Sequence, residues 1–165
     1  MPYTSALHNF SFGLEEEFFL SRADNGALAL DAAGAVLERA RGDLGNCVTA
    51  EMLQSQIEIA SPIFQHIDEV LPGMSTLRSA LASIVEALDL RLIAAGTHPL
   101  GVWHEQVVVD ELRYEQLLAD FRIVGQRSLV CGLHVHVAIP PGVDRVDLMN
   151  RLMRWLPLFL AVRIS

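Results

Sequence analysis

The stretch Gly13-Leu14-Glu15-Glu16-Glu17-Phe18-Phe19 lies within residues 12–20, a run rich in Phe and Leu that closes at the turn signal Asp24-Asn25-Gly26, and so reads as a strand leading into a loop. The two-residue period of a strand puts Glu15 and Glu17 on one face and Glu16 on the other. Carboxylates about 7 Å apart on one sheet face repel each other unless something positive lies between them, and burying either without a partner is costly. A divalent cation answers that need economically. The alternative for the triplet alone is a solvated sheet edge.

Further along the chain, residues 54–60 alternate, with Gln54, Gln56 and Glu58 on one face and Ser55, Ile57 and Ile59 on the other, which predicts a half-buried strand. Glu51 precedes the regular alternation, so period alone does not fix its direction. Residues 129–139 alternate again, and His134 and His136 leave the same face of an otherwise apolar strand. One histidine there is an ordinary core residue. Two at i and i+2 leave two readings open, metal or phosphate ligands on one side and core residues on the other, since neutral imidazole binds divalent ions. Taken with the glutamates, this oxygen-dominated set favours Mg²⁺, with Mn²⁺ as the alternative, over zinc.

Between these segments, apolar positions at spacings of three and four from Ile67 to Leu88 predict a helix, bent or restarted at Pro72-Gly73. Residues 26–46 are Ala/Gly-rich and show no clear period. A strand is expected over 92–97, ending at Gly96-Thr97-His98-Pro99, with a short β segment at 107–109. Tyr114, Leu117, Leu118 and Phe121 predict a helix with Arg113 in its first turn. Thr97-His98 and Arg113 are open to two readings each, as ligand-binding groups or as a strand terminus and a helix start. Asp144 is placed to cap the last helix, and residues 148–164, interrupted by Arg151 and Arg154, read as a buried helix too short to cross a bilayer.

Composition bounds the rest. A chain of 165 residues with 52% hydrophobic content forms one globular domain, 1–165, rather than a disordered segment. A net charge of −8 and no basic run disfavour nucleic acid and anionic membranes as partners. Cys47 and Cys131 are too few for a disulfide framework, and no secretory signal is evident near Met1, so a cytoplasmic location is expected.

In order, the segments around Glu15, residues 51–61, Gly96-Thr97-His98-Pro99, Arg113-Tyr114 and Gly132-Leu133-His134-Val135-His136-Val137 resemble the type 2 glutamate–cysteine ligases, or carboxylate-amine ligases, of the glutamine synthetase superfamily. The resemblance implies an α+β fold, a curved, mainly antiparallel sheet with helices on one face, like the glutamine synthetase catalytic domain but truncated. It implies metal ligation by Glu15, Glu17, Glu51, Glu58 and His134, with Glu15, Glu17, Glu58 and His134 central to catalysis. Gln56, Thr97, His98, Arg113 and His136 become candidates for contacts to ATP or substrate. The implied cofactors are ATP and Mg²⁺. The implied reaction phosphorylates a glutamate-like carboxylate and then joins it to a cysteine-like amine, and a homo-oligomer is expected. Members of that family continue past a Leu-Pro-Leu helix into a second half, so this sequence is expected to be about the first half of one, and its own turnover stays open. Two rival readings are a non-catalytic protein that associates through its sheet edge, and a zinc hydrolase using His134 and His136.

Overall fold

The computed structural model describes residues 10–110 and 129–163. Its axis is strand β1 (Phe12–Arg22). Strand β3 (Gln56–Ala60) runs antiparallel along one side of β1, and β2 (Val48–Ala50) runs antiparallel along β3. The other side of β1 is shared: β5 (Leu133–Val137) pairs with Phe12 to Glu16, and β4 (Leu90–Ile93) pairs with Phe19 to Arg22. Every pairing is antiparallel, as expected from the sequence.

The alternation in β1 separates two faces. Phe18 and Leu20 join Ile57 and Ile59 of β3 in a core closed by helices α1 (Ala33–Leu44) and α2 (Val70–Glu86). Fully burying each of these branched or aromatic side chains contributes about 1.5–3 kcal/mol. Helix α1 falls within residues 26–46, where no period is visible. Its buried stripe is Ala33, Val36 and Ala40, and such small side chains give a weak periodic contrast while allowing close approach to the sheet. Its first N–H is bonded to the Gln54 carbonyl at 2.8 Å, and Gly45 ends it at φ 56°.

Helix α2 runs through Pro72-Gly73 without restarting. Pro72 lies in the first turn, where its missing N–H has no intrahelical partner to lose. Gly73 accommodates a ring instead: a Cβ at this position would lie 2.8 Å from Phe64 Cζ. Strand β4 begins and ends earlier than the expected 92–97, and Asp89, at φ 56°, makes the tight turn into it.

The opposite face of β1 is divided. Over Phe19 a second apolar cluster forms from Leu53, Leu129 and Cys131, with Trp103 and Val108 packed against it. Residues 129–131 therefore belong to this cover, and the regular part of the expected strand 129–139 is Leu133–Val137. Glu15 and Glu17 lie on the same face outside this second cluster.

After β5 come helices α3 (Arg145–Leu152) and α4 (Leu156–Arg163), linked by a 3₁₀ turn. Asp144 caps α3 as expected, its carboxylate accepting from Val146 N and Asp147 N at 2.9 and 3.1 Å. The expected burial of 148–164 is not found. Trp155, Leu156, Leu158, Phe159 and Leu160 are all exposed, because an apolar run is buried only when another element covers it, and the described elements leave this one uncovered. No described helix is long and apolar enough to cross a membrane.

Candidate metal centre

Strand register brings the site together. Across β1 and β3, Glu17 stands directly opposite Glu58, and across β1 and β5, Glu15 stands opposite His134. Directly opposed antiparallel residues hold their Cβ atoms about 4.5–5.5 Å apart, so the Glu17–Glu58 pair places two carboxyl groups side by side on this face. Glu58 is also buried, at 8% exposure. Glu15, Glu17, Gln56, Glu58, His134 and His136 all leave the face turned away from α1 and α2.

The contacts around Glu17 fix its carboxylate. Gly132 N donates to Glu17 Oε2 at 2.8 Å, while Glu17 N donates to the Gly132 carbonyl at 3.1 Å. Gly132 also seats His134: a Cβ at Gly132 would come 3.1 Å from His134 Nε2, so the bare Cα lets the ring lie over it. With Nε2 on that side, Nδ1 faces the carboxylates, 3.5 Å from Glu15 Oε2 and 3.8 Å from Glu17 Oε1. His136 Nε2 lies 2.8 Å from Glu15 Oε2.

Burial is the main cause that raises the Glu17 carboxyl above its ordinary pKa, and the charges of Glu51 and Glu15 push the same way, against the Gly132 N–H and His134. Glu51 thus lies within electrostatic range of Glu17. One of its oxygens accepts from Met52 N at 2.8 Å. Two groups have ligand atoms close enough to share an ion: Glu15, His134 and His136, and Glu17, Glu58 and His134. Carboxylate oxygens with one imidazole, converging from three strands, fit a hard divalent cation with open coordination positions for other ligands. Beside them, a cleft of about 250 Å³ between the end of β4 and the start of β5 is lined by Glu17, Ala94, Gly96, Cys131 and Gly132.

Other expected ligand contacts lie elsewhere. Gln56 Nε2 donates to the Val130 carbonyl at 2.6 Å and to Cys131 Sγ at 3.1 Å, which ties residues 130–131 to the sheet. Burial pushes the Cys131 thiol up to about 12, so it is inert at neutral pH. Thr97 Oγ1 donates to the Leu129 carbonyl at 2.9 Å. His98 is buried beneath the second cluster, edge-on to Phe19. Its Nδ1 accepts from Leu100 N at 3.2 Å, so the ring proton is on Nε2 and is donated to Ser21 Oγ at 2.8 Å. Ser21 is four residues beyond Glu17 in β1, about 13 Å along the strand, so His98 and the carboxylate group occupy different parts of the same face. Arg113 lies outside the described residues.

Two features of the fold around this group were not singled out from the sequence. One is Gly132. The other is the fate of Glu16, which on the helix face accepts from Arg78 Nε at 2.5 Å and Nη2 at 2.8 Å. Gly132 stands immediately before the Leu133-His134-Val135-His136 alternation and carries a sequence signal; Arg78, far along the chain on α2, carries none.

The fold is shared with two solved structures. A bifunctional glutathione synthetase from Pasteurella multocida superposes with a TM-score of 0.62 at 20% identity, covering 88% of this chain and 18% of that one. A glutamate–cysteine ligase from Francisella tularensis in complex with AMP superposes with a TM-score of 0.55 at 15% identity, covering 88% and 29%. Sequence then narrows the class, because the model of glutamate–cysteine ligase family 2 matches residues 11–165, and the chain belongs to that family. Relatives provisionally named glutamate–cysteine ligase 2 include those of Ectopseudomonas mendocina, 39% identical over 94% of this chain and 41% of the relative, and Pseudomonas putida, 40% identical over 94% and 42%. The relative from Pseudomonas aeruginosa strain LESB58 is 37% identical over 100% of this chain and 44% of its own length. The chain therefore spans less than half the length of these relatives.

Proposed function

We propose that this chain carries the cation-binding part of an ATP- and Mg²⁺-dependent carboxylate–amine ligase of the glutamate–cysteine type. The observation that carries the reading is the cross-strand convergence of Glu15, Glu17, Glu58 and His134 on the sheet face turned away from α1 and α2. Family membership supports the ligase chemistry.

In this reaction a carboxylate oxygen of a glutamate-like acid attacks the γ-phosphorus of ATP, the bond to the bridging oxygen breaks, and ADP leaves. The amine nitrogen of the second substrate then attacks the acyl carbon, phosphate departs, and the nitrogen loses its proton as the amide forms. A divalent cation at this site supplies charge neutralisation for the phosphates during transfer. The residues' part is to hold that charge in place. Glu17 and Glu58 face each other across the sheet, Gly132 N fixes one Glu17 oxygen, and His134 Nδ1 completes the donor set. Glu51 adds negative charge nearby, which strengthens attraction for a dication. Arg113 is assigned as an anion contact to substrate or phosphate, and His136 to the region nearest the nucleotide phosphates.

The test is calorimetric titration of a non-hydrolysable ATP analogue with and without Mg²⁺. Binding that requires Mg²⁺ and falls at least tenfold in Glu58→Gln supports the reading; Mg²⁺-independent binding unaffected by the substitution refutes it. Turnover of ATP with glutamate and an amine, followed as phosphate release, measures how far this chain alone performs the reaction.

A second reading is favoured by the exposed apolar residues of α3 and α4: association of this chain with itself or another polypeptide. Sedimentation at several concentrations separates the two, since a stable monomer argues against association.

A further inference from the structure

Residues 129–131 cover Phe19 on the sheet face turned away from α1 and α2, and lead directly into Gly132. Each of these four residues has a backbone group held by a hydrogen bond. The Leu129 carbonyl accepts from Thr97 Oγ1 at 2.9 Å, and the Val130 carbonyl from Gln56 Nε2 at 2.6 Å. Cys131 N donates to the Gly96 carbonyl at 3.3 Å. Gly132 then pairs both of its backbone groups with Glu17, its N–H donating to Oε2 and its carbonyl accepting from Glu17 N.

We propose that Gln56 and Thr97 are positioning residues for the Glu17 carboxylate: by holding the carbonyls of Val130 and Leu129 they set the Gly132 N–H against Oε2 and leave Oε1 on the side of His134. This rests on the reading of the face as a divalent-cation centre, and adds two side chains that act through Gly132.

Three observations carry it. The first is placement. Gln56 stands opposite Phe19 and two residues before Glu58 on β3, and its amide meets a segment that continues into β5, on the other side of β1. One strand therefore carries both the Glu58 carboxylate and the group that fixes the donor to Glu17. The second is burial. Gln56 is 2% exposed, so its bond to Val130 replaces one to water and is costly to leave unmade. The third is the fit of the loop that bears Thr97. A Cβ at Gly101 would come 2.5 Å from Leu129 Cδ2, so this loop packs directly against the residue that Thr97 bonds. His98 anchors the same loop through Ser21 and Leu100 N. The consequence for ligand binding is preorganisation. A carboxylate held by one oxygen presents the other in one orientation before an ion arrives, whereas a released one spends binding free energy on being ordered.

The experiment uses the full 165-residue chain with two readouts: amide hydrogen exchange at Gly132, followed by NMR in the metal-free protein, and Mn²⁺ affinity by calorimetry. Gln56→Met and Thr97→Val keep most of the side-chain volume and lack the donor. Each speeds exchange at Gly132 and weakens Mn²⁺ about three- to tenfold, the range for one neutral hydrogen bond. Thr97→Ser, which keeps the hydroxyl, restores both. Val36→Ala, in the core closed by α1, lowers Tm without touching this segment and leaves Mn²⁺ affinity unchanged. A loss of Mn²⁺ affinity in Val36→Ala equal to that in the two donor-less variants would mark a merely structural effect and overturn the proposal. Gly132 exchange and Mn²⁺ affinity both unchanged in Gln56→Met and Thr97→Val overturn it too, and leave the cation reading standing. Mn²⁺ that fails to bind the unsubstituted chain, with Gly132 exchange still faster in both variants, removes the cation reading and keeps the positioning of Glu17.

Discussion

Glu16 and Glu17 are neighbours in one strand and meet opposite environments. On the helix face, Glu16 is buried against the Arg78 guanidinium, which grips both carboxylate oxygens. On the opposite face, Glu17 faces Glu58 across the sheet, accepts one backbone N–H and has an imidazole nearby, and its proton affinity rises. One carboxylate is satisfied by an ion pair within the fold. The other lies beside a second carboxyl group, and a proton or a bound cation relieves the repulsion there.

The comparison can be broken first at Glu16. Arg78→Ala leaves that carboxylate buried without its cation, and a loss of about 2–4 kcal/mol in unfolding free energy is expected, discounted from the fully buried case because Arg78 is half-exposed. Urea denaturation measures it, and divalent-cation binding at 10 °C, where the variant remains folded, should change less than threefold.

Glu17→Gln should act in the opposite direction on stability. Because the folded protein holds the Glu17 carboxyl above its ordinary value of 4.5, ionisation costs the fold stability. The cost develops as pH rises from 4.5 through the raised folded value, and persists above it. Metal-free Glu17→Gln should therefore match the parent protein at low pH and exceed it at neutral pH, by roughly 2–4 °C in Tm if the relief is about 1 kcal/mol. Its Mg²⁺ affinity should fall at least tenfold. Equal Tm values at neutral pH in the presence of chelator would count against repulsion at this carboxylate.

A finer test is Gly132→Ala. The added methyl must push the His134 ring, and a three- to tenfold loss of cation affinity is expected with a Tm change smaller than that of Arg78→Ala. Unchanged affinity would mean that the ring's seat on Gly132 has no part in orienting Nδ1.

The smallest effect concerns the covered end of the same face. Burial lowers the pKa of His98 below 6.5, so the neutral ring is favoured in the fold. The stability this contributes is complete above pH 6.5 and is lost as pH falls from there through the folded value. Thermal unfolding between pH 7.5 and 5 should show a shallow decline attributable to this residue. His98→Asn, which cannot take up a proton, should flatten that decline while lowering Tm throughout.

Sequence pattern located the parts of this molecule where side-chain contrast is strong. The alternations around Glu15, Glu58 and His134 gave the strands and which side chains share a face, because a two-residue period admits one assignment once a few large apolar residues mark the core side; the half-buried strand expected over 54–60 is instead buried on both faces along β3. Asp144 was legible as a cap for the same local reason. Helix α1 was hidden because Ala33, Val36 and Ala40 provide packing without hydrophobic contrast. The pairing of Glu16 with Arg78 depends on α2 crossing β1, and no local pattern encodes it. His98 and Gln56 look like ligand-binding residues in sequence; in the fold, His98 bonds to Ser21 and Leu100, and the Gln56 amide nitrogen to residues 130–131. The apolar run of α3 and α4 misled for a different reason, since periodicity reports which face could be buried and says nothing of what buries it.

The most direct test of the cation centre is a crystal of the chain soaked in Mn²⁺ and measured at the manganese absorption edge. An anomalous peak is expected among Glu17, Glu58 and His134, at about 2.0–2.4 Å from a carboxylate oxygen of each glutamate. Fully ordered Glu17 and Glu58 with no peak between them at millimolar Mn²⁺ would contradict the account.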